Sequence, residues 1–447
     1  MATQTNLTLL TDLYQLTMAQ SYFRERQFGE ATFSLFIRSY PADRGYFVSA
    51  GLNDVLDYLE NFAFDSDAIA YLAKQGLFSE EFLAYLAGLR FTGDLWAMPE
   101  GRIFFKDEPI LEITAPVIQA QIAETFIINQ IHLQSLIASK AARCVDAAGG
   151  RGVADFALRR AHGIDAGMKV ARASYLAGFA ATSNVLAGKE YGIPIVGTMA
   201  HSFVSSFERE IDAFRAYAAS FPRSAILLID TYDTIQGAHH AVQVAKEMAA
   251  RGEQLIGVRI DSGDLADLAR RVRAIFDEAH LPQLKIFGSG GLDEYDLAEF
   301  SAARVPFDNY GVGTRMGTSA DAPWTDMSYK LVECQQRPVL KLSTGKVSLP
   351  GRKQVFRQRD DTENFARDIV GLRSEDLSGE KLLQEVMRNG KRRPSPSLDE
   401  SRALFALEFA ALPPTVKSIC RPELYPVEIS PMLLALQQEV TRKYRVS

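Results

Sequence analysis

Five times between Ile193 and Arg315 a short apolar run ends abruptly at residues able to do polar chemistry. The runs are Ile193 to Val196 before Gly197-Thr198-Met199-Ala200-His201, Ala225 to Ile229 before Asp230-Thr231-Tyr232-Asp233, and Leu255 to Val258 before Arg259-Ile260-Asp261-Ser262-Gly263-Asp264. Two more follow, Leu284 to Phe287 before Gly288-Ser289-Gly290-Gly291 and Tyr310 to Val312 before Gly313-Thr314-Arg315. Continuous apolar runs separated by helix-length mixed segments predict parallel strands buried on both faces. Loops leaving the C-terminal ends of such strands gather in one place, so His201, Asp230, Arg259, Asp261, Ser289 and Thr314 are expected to converge.

Elsewhere the pattern changes. From Thr11 to about Ala120 it predicts a helix at Leu13 to Arg24, a strand at Ala31 to Arg38 and helices at Gly51 to Phe62 and Ser66 to Leu89. Paired strands at Asp94 to Phe105 and Pro109 to Thr114 complete an α+β order. A long helix at Ile118 to Ala142 leads into the strand–helix repeat, roughly Arg143 to Met316. Beyond it, Val339 to Leu342 and Val347 to Leu349 flank Ser343-Thr344-Gly345-Lys346, a predicted hairpin turn. The remainder mixes short strands and helices around Lys391-Arg392-Arg393-Pro394-Ser395-Pro396, read as a solvated loop.

Composition narrows the class. A chain of 447 residues suggests two or three domains at about 100–200 residues each, and 47% hydrophobic residues can fill a sizeable core. A net charge of -6 and a pI near 5.7 leave no electrostatic footprint for nucleic acid, so phosphate recognition is expected to be local to a pocket. Cys144, Cys334 and Cys420 lie far apart without metal-ligand spacing, which argues for a reducing compartment and against a disulfide framework. Met1 to Leu10 lacks a signal-peptide pattern, and no stretch reaches the roughly 18 apolar residues of a membrane span. These features lead to the expectation of a cytoplasmic enzyme with no membrane partner.

The strand-end residues have both chemical and structural readings. Asp261-Ser262-Gly263-Asp264 suits a Mg²⁺-bound phosphate or sugar hydroxyls, and equally the N-cap of a helix. Gly288 to Gly291 and Gly311 to Thr314 offer free backbone N–H groups after successive strands, an arrangement that cradles phosphate in barrels. Arg159 and Arg259 suit bidentate capture of an anion, or ordinary ion pairs. His201, one of six histidines, suits catalysis or structure. The run Ile226 to Thr234 superficially resembles the phosphoribosyl pyrophosphate loop of type I phosphoribosyltransferases. Its acids Asp230 and Asp233 are not adjacent, and the chain is far longer than that compact fold needs, which excludes the type I assignment.

Taken together, the segments resemble nicotinate phosphoribosyltransferases, type II phosphoribosyltransferases of NAD biosynthesis. The matching stretches are Thr11 to Met18, Phe33 to Leu52, Asp155 to Arg160, Gly197 to His201, Gly257 to Leu265, Ser289 to Tyr295, Gly311 to Thr314 and Pro350 to Gln354. Gly291 departs from the pattern, standing where relatives often place a polar residue. The resemblance implies an irregular TIM-like α/β barrel plus an α+β domain built from the N-terminal and C-terminal segments, with boundaries expected at 1–120, 121–335 and 336–447. It also implies a homodimer with shared active sites, and ATP-coupled, ligase-type transfer from phosphoribosyl pyrophosphate to nicotinate through a phosphorylated His201.

By the same resemblance, Phe156 and the partner chain's Tyr14 sandwich the pyridine ring, with Arg159, Thr198 and Arg259 near the bound nicotinate. Asp230 and Asp261 act on the ribose and Mg²⁺. Ser289, Gly290, Gly313 and Thr314 hold the 5′-phosphate, and Arg38 and Lys341 the pyrophosphate. Three other functions compete. Nicotinamide phosphoribosyltransferases carry an aspartate at the position of Ser183, where a carboxylate would repel nicotinate, so serine favours the acid. Quinolinate phosphoribosyltransferases are shorter and carry a denser basic cluster. A non-catalytic nucleotide-binding barrel would not require a phosphorylatable histidine.

Overall fold

The structure, a computed structural model, describes residues 7–342 and 348–445. The chain forms two compact units, Met1–Ala138 with Trp324–Ser447, and Ser139–Pro323. The division falls inside the helix Glu124–Ala147.

The first unit is α+β and draws on both ends of the chain. Its seven-stranded antiparallel sheet runs Arg337–Pro338, Met327–Cys334, Glu30–Ile37, Leu111–Pro116, Asp94–Ala97, Gln384–Arg388 and Lys391–Arg392. Asp94–Ala97 pairs with Leu111–Pro116 on one side and with the C-terminal strand Gln384–Arg388 on the other. Phe33 and Leu35 face Ile113 and Leu111 across the ladder and enter a core shared with Leu16, Leu56 and Ile118. This alternation gives the sheet one apolar face for helices to cover. A second sheet joins Glu380–Lys381, Lys353–Arg359, Phe365–Leu372 and Val427–Ile429. At its centre the fully buried Arg357 pairs with Asp368 at 2.6 Å and Glu408 at 2.7 Å and donates to the Ile103 carbonyl.

Several elements differ from the sequence pattern. The single helix expected from Ser66 to Leu89 is two, Ser66–Lys74 and Glu80–Gly88: Gly76 turns left-handed at φ 64° and the Ser79 hydroxyl caps the second helix. The helix expected at Ile118 to Ala142 is likewise two, Val117–Ile122 and Glu124–Ala147. The basic segment begins as a docked hairpin strand, and only its remainder, 393–396, is the expected loop. Lys391–Arg392 pairs with Gln384–Arg388, while Arg392 is bound by Asp57 and Arg393 by Glu385. The turn expected at 343–346 lies outside the described residues; beside it the Ser348 N–H donates to the Lys341 carbonyl, and Val339 to Leu342 form no regular strand.

The second unit holds a six-stranded parallel sheet in the order Ala181–Thr182, Gly152–Asp155, Asn309–Val312, Lys285–Gly288, Gly257–Ile260, Ile226–Leu228. Four of the five expected runs are strands of this sheet. The fifth contributes a single parallel bridge from Ile195 to Thr182, which extends the sheet at its other end. Gly152–Asp155 and Ala181–Thr182 were invisible to the hydrophobic pattern because they are short and built largely of small residues. The two ends of the series meet through side chains at the C-terminal rim, where Arg259 bonds Thr198 and His201 bonds Thr231. The sheet is therefore an irregular, incompletely laddered α/β barrel. Among the described residues no helix is long and apolar enough to cross a membrane.

Replacing Arg357 by alanine leaves the buried Asp368 without its guanidinium, an expected loss of about 3–5 kcal/mol for a broken buried pair. Both tryptophans, Trp96 and Trp324, belong to the first unit, so a urea titration followed by their fluorescence reads the loss directly.

Candidate active site

At the C-terminal rim of the parallel sheet one guanidinium ties three loops together. Arg259, at the end of Gly257–Ile260, donates from Nε to Thr198 Oγ1 at 3.0 Å and from Nη2 to the Met199 carbonyl at 3.1 Å. Its Nη1 donates to Asp261 Oδ1 at 2.8 Å and to Ser289 Oγ at 3.0 Å. Four of the five N–H groups of an arginine are thus engaged, and one remains for a ligand. Ser289 Oγ closes the triangle by donating to Asp261 Oδ1 at 2.5 Å.

The acids divide by position within their loops. Asp233 and Asp264 cap the helices Thr234–Ala249 and Leu265–Glu278, so the structural reading holds for them. Asp230 and Asp261 stand nearer the strand ends. Asp230 Oδ2 accepts from Ser262 Oγ at 2.6 Å and from the Asp261 N–H at 3.0 Å, whereas its Oδ1 is buried and receives no hydrogen bond. An ionised oxygen in that state is costly unless a ligand or cation completes it. His201 begins the short helix His201–Ser205; its Nδ1 lies 3.1 Å from Thr231 Oγ1 and its Nε2 3.8 Å from Asp261 Oδ2.

The glycine turns are shaped by close approach. A side chain at Gly290, where φ is 105°, would place its Cβ 2.0 Å from the Asp261 carbonyl oxygen. The exposed Gly290 and Gly291 therefore present backbone to the rim. Gly313 precedes the exposed Thr314 at the start of the helix Thr314–Gly317. The Phe156 N–H donates to the Val312 carbonyl, and its ring lies against Gly311, where an added Cβ would meet it at 2.4 Å. Arg159 is exposed on the turn Leu158–Arg160. The Ser183 N–H donates to the Asp155 carbonyl. Below it the Asp155 carboxyl is raised by burial and held down by bonds from Thr182 Oγ1 and the Ala157 N–H.

Tyr14, Arg38 and Lys341 belong to the first unit. Tyr14 is half exposed and lines a cavity of about 380 Å³ with Asp12, Glu124, Thr125, Asn129 and His132. Burial, then the Glu124 carboxylate, raises its phenol. Arg38 pairs with Asp326 at 3.4 Å, and Lys341 is exposed. Lys330, missed in the sequence, is half-buried in the field of both; burial depresses its ammonium, opposed by Glu124 and reinforced by Arg38 and Lys341. The strand that carries it, Met327–Cys334, was not read from the sequence. Thr231 and Ser262, which orient His201 and Asp230, were also missed although they stand inside the acid-bearing strings.

Among the described residues no group of three or more His, Cys, Asp or Glu side chains is arranged to hold a metal ion. Asp230 Oδ1 and Asp261 fit the other mode, in which Mg²⁺ keeps water and takes one or two carboxylates plus substrate phosphates. Acids, a histidine and glycine turns thus share the rim on which parallel-barrel enzymes carry their active sites.

Comparison with known proteins is more specific. Residues 9–132 match the nicotinate phosphoribosyltransferase N-terminal domain, 152–390 the nicotinate phosphoribosyltransferase family and 373–437 the nicotinate phosphoribosyltransferase C-terminal domain. The chain is 51% identical over 413 residues to nicotinate phosphoribosyltransferase pncB2 of Mycobacterium tuberculosis, covering 92% of this chain and 89% of that one. Against nicotinate phosphoribosyltransferase of Bacillus subtilis the identity is 40% over 388 residues, with 85% and 79% covered. The crystal structure of human nicotinic acid phosphoribosyltransferase superposes with a TM-score of 0.87 at 30% identity, over 96% of this chain and 99% of that one. The chain belongs to the nicotinate phosphoribosyltransferase family.

Gly290→Ala is expected to push the turn away from Asp261 and lower kcat/KM by about tenfold or more, since misplacement near 1 Å is costly at a reacting centre. Steady-state assay of a variant whose circular dichroism matches wild type checks it; undiminished kcat/KM contradicts the role given to the turn.

Proposed function

We propose that the protein joins nicotinate to phosphoribosyl pyrophosphate, forming nicotinate mononucleotide and pyrophosphate in NAD biosynthesis, with ATP hydrolysis coupled through phosphorylation of His201. Nicotinate phosphoribosylation is the activity of the family to which the chain belongs. The observation that carries the reading is the bonded cluster of Thr198, Arg259, Asp261, Ser289 and Asp230, with His201 beside it, on one rim of a parallel sheet.

The pyridine nitrogen attacks C1 of the ribose as the C1–O bond to pyrophosphate breaks, so positive charge develops on the ribosyl centre. Asp230 and Asp261 supply negative charge there, and the N–H groups of Ser289, Gly290, Gly313 and Thr314 receive the 5′-phosphate. Phe156 and Tyr14 of the partner subunit hold the ring by stacking, which makes the active enzyme a homodimer. Arg159, Thr198 and the remaining N–H of Arg259 face the carboxylate, and Ser183 leaves the position free of a repelling charge. Arg38 and Lys341 take the pyrophosphate. Mg²⁺ at Asp230 and Asp261 would offset charge on the departing pyrophosphate. Thr231 engages Nδ1 of His201, which leaves Nε2 to take the γ-phosphoryl group of ATP as ADP departs; water later releases phosphate.

His201→Ala is expected to abolish nicotinate-dependent ADP release while slow, ATP-independent transfer persists. Alkaline-stable, acid-labile label from γ-labelled ATP is expected on the peptide bearing His201; label elsewhere, or wild-type coupling in the variant, removes the assignment. Mixing His201→Ala with Tyr14→Ala chains is expected to restore up to about a quarter of all sites when the chains reassort randomly into two-fold dimers. No recovery in demonstrably mixed dimers would show that Tyr14 serves its own chain's site or none.

Substrate choice is a separate outcome. The enzyme is expected to prefer nicotinate strongly over nicotinamide, and Arg259→Ala to cost about 2–5 kcal/mol of nicotinate binding, the range for a severed, desolvated charge pair. Competition assays with both pyridines decide it, and comparable kcat/KM for the amide would refute the argument from Ser183.

A further inference from the structure

An ion cluster in the second unit lies outside every residue assigned above. Glu294 opens the helix Glu294–Ala302 immediately after the turn at 289–292 and is fully buried. Both its oxygens are taken, Oε2 by Lys140 Nζ at 2.5 Å and Oε1 by Arg143 Nε at 2.9 Å. Lys140 is shared with Asp321 at 2.6 Å, and Arg143 Nη2 donates to the Tyr295 hydroxyl at 3.2 Å. On the outer side Arg315 Nη1 joins Asp293 at 3.0 Å and Asp296 at 3.2 Å. Asp293 is the helix cap itself, and accepts from the Tyr295 and Asp296 N–H groups.

Such a cluster is a poor route to stability, because desolvating buried ions costs about as much as their attraction returns, often more. What it supplies is direction: each ion fixes where its partner sits. The turn needs that. Gly290 and Gly291 take left-handed φ values of 105° and 75°, and glycine is free to leave them, so the turn keeps its shape only if both ends are held. Asp261 and Arg259 hold Ser289 at one end; Lys140, Arg143 and Arg315 hold residues 293–296 at the other.

We propose that Glu294 is a positioning residue for the reaction: anchored by Lys140 and Arg143, it fixes the N–H groups of the turn in the arrangement that receives the 5′-phosphate of the sugar donor. Affinity for the phosphate end of the donor is then set by ions behind the turn. This rests on the assignment of Ser289 and Gly290 to that phosphate, made under Proposed function.

The test is steady-state kinetics on the full chain, with phosphoribosyl pyrophosphate and nicotinate varied separately. Glu294→Gln is expected to raise KM for phosphoribosyl pyrophosphate about tenfold while kcat and KM for nicotinate stay within about twofold. Arg315→Gln, at a half-exposed side chain, leaves the buried cluster intact and is expected to raise the same KM about threefold with thermal stability unchanged. Ribose 5-phosphate, as a competitive inhibitor, is expected to weaken in parallel. Equal losses in kcat and both KM values, or an unchanged donor KM in both variants, would overturn the proposal. If Glu294→Gln does not fold, Arg315→Gln decides alone. Gly290→Ala separates the two layers. A donor KM unmoved by it sinks the phosphate assignment, whereas a raised one beside unaffected Glu294→Gln and Arg315→Gln sinks only the positioning role.

Discussion

The site depends on the placement of one charge, the guanidinium of Arg259. An arginine stays protonated in a protein and carries its donors in a rigid planar fork, so whatever accepts from it is fixed in direction as well as distance. Here the acceptors come from the loops at Thr198, Asp261 and Ser289. Strand pairing alone leaves the series from Ile195 to Ile226–Leu228 open at its ends. The bonds from Arg259 to Thr198 and Met199, with that between His201 and Thr231, bring those ends to a common rim. From there the order propagates: the Asp261 N–H orients Asp230, and Asp261 Oδ2 faces His201.

A second constraint is the need to satisfy helix N-termini. Each strand end must supply both chemistry and a cap within a few residues, since the first turn of a helix leaves N–H groups without partners. The chain separates the two duties along each loop. The acid nearer the strand, Asp230 or Asp261, faces the rim, and the later one, Asp233 or Asp264, caps the helix. After Lys285–Gly288 the same order holds with one residue more, Ser289 standing at the rim and Asp293 as cap. Glycine fills the positions in between where a side chain would strike a neighbouring loop, as at Gly290 against Asp261.

The first unit uses its charges differently. Arg357, Asp368 and Glu408 form a buried lattice that bonds the second sheet to the carbonyl of Ile103. Lys353 pairs with Glu112 at 2.9 Å, its ammonium depressed by burial and restored in part by that carboxylate. The Arg357–Ile103 bond and the Lys353–Glu112 pair join C-terminal to N-terminal residues, so both segments form one body despite the long insertion between them. That body carries Tyr14, Arg38 and Lys330.

Much of this was legible in the sequence because period and punctuation are local. An apolar run ending at Asp230 or Arg259 needs no partner to be read as a buried strand meeting polar chemistry, and the convergence of the strand ends follows from parallel pairing. The motif strings also sufficed to name the family. What the sequence could not decide were features set by contacts distant in the chain. Gly152–Asp155 became a strand because Asn309–Val312 offered it a ladder, and Lys391–Arg392 because Gln384–Arg388 and Asp57 did. Thr231 and Ser262 differ from other hydroxyls only in what stands opposite them. Glu294 reads in sequence as an ordinary first-turn helix acid; its two buried cations come from about 150 residues earlier, on a helix whose pattern marked only its apolar face. Local chemistry therefore determined which residue types meet at the rim. Only tertiary packing, which sets burial and pairing at long range, decided which of them are held and by what.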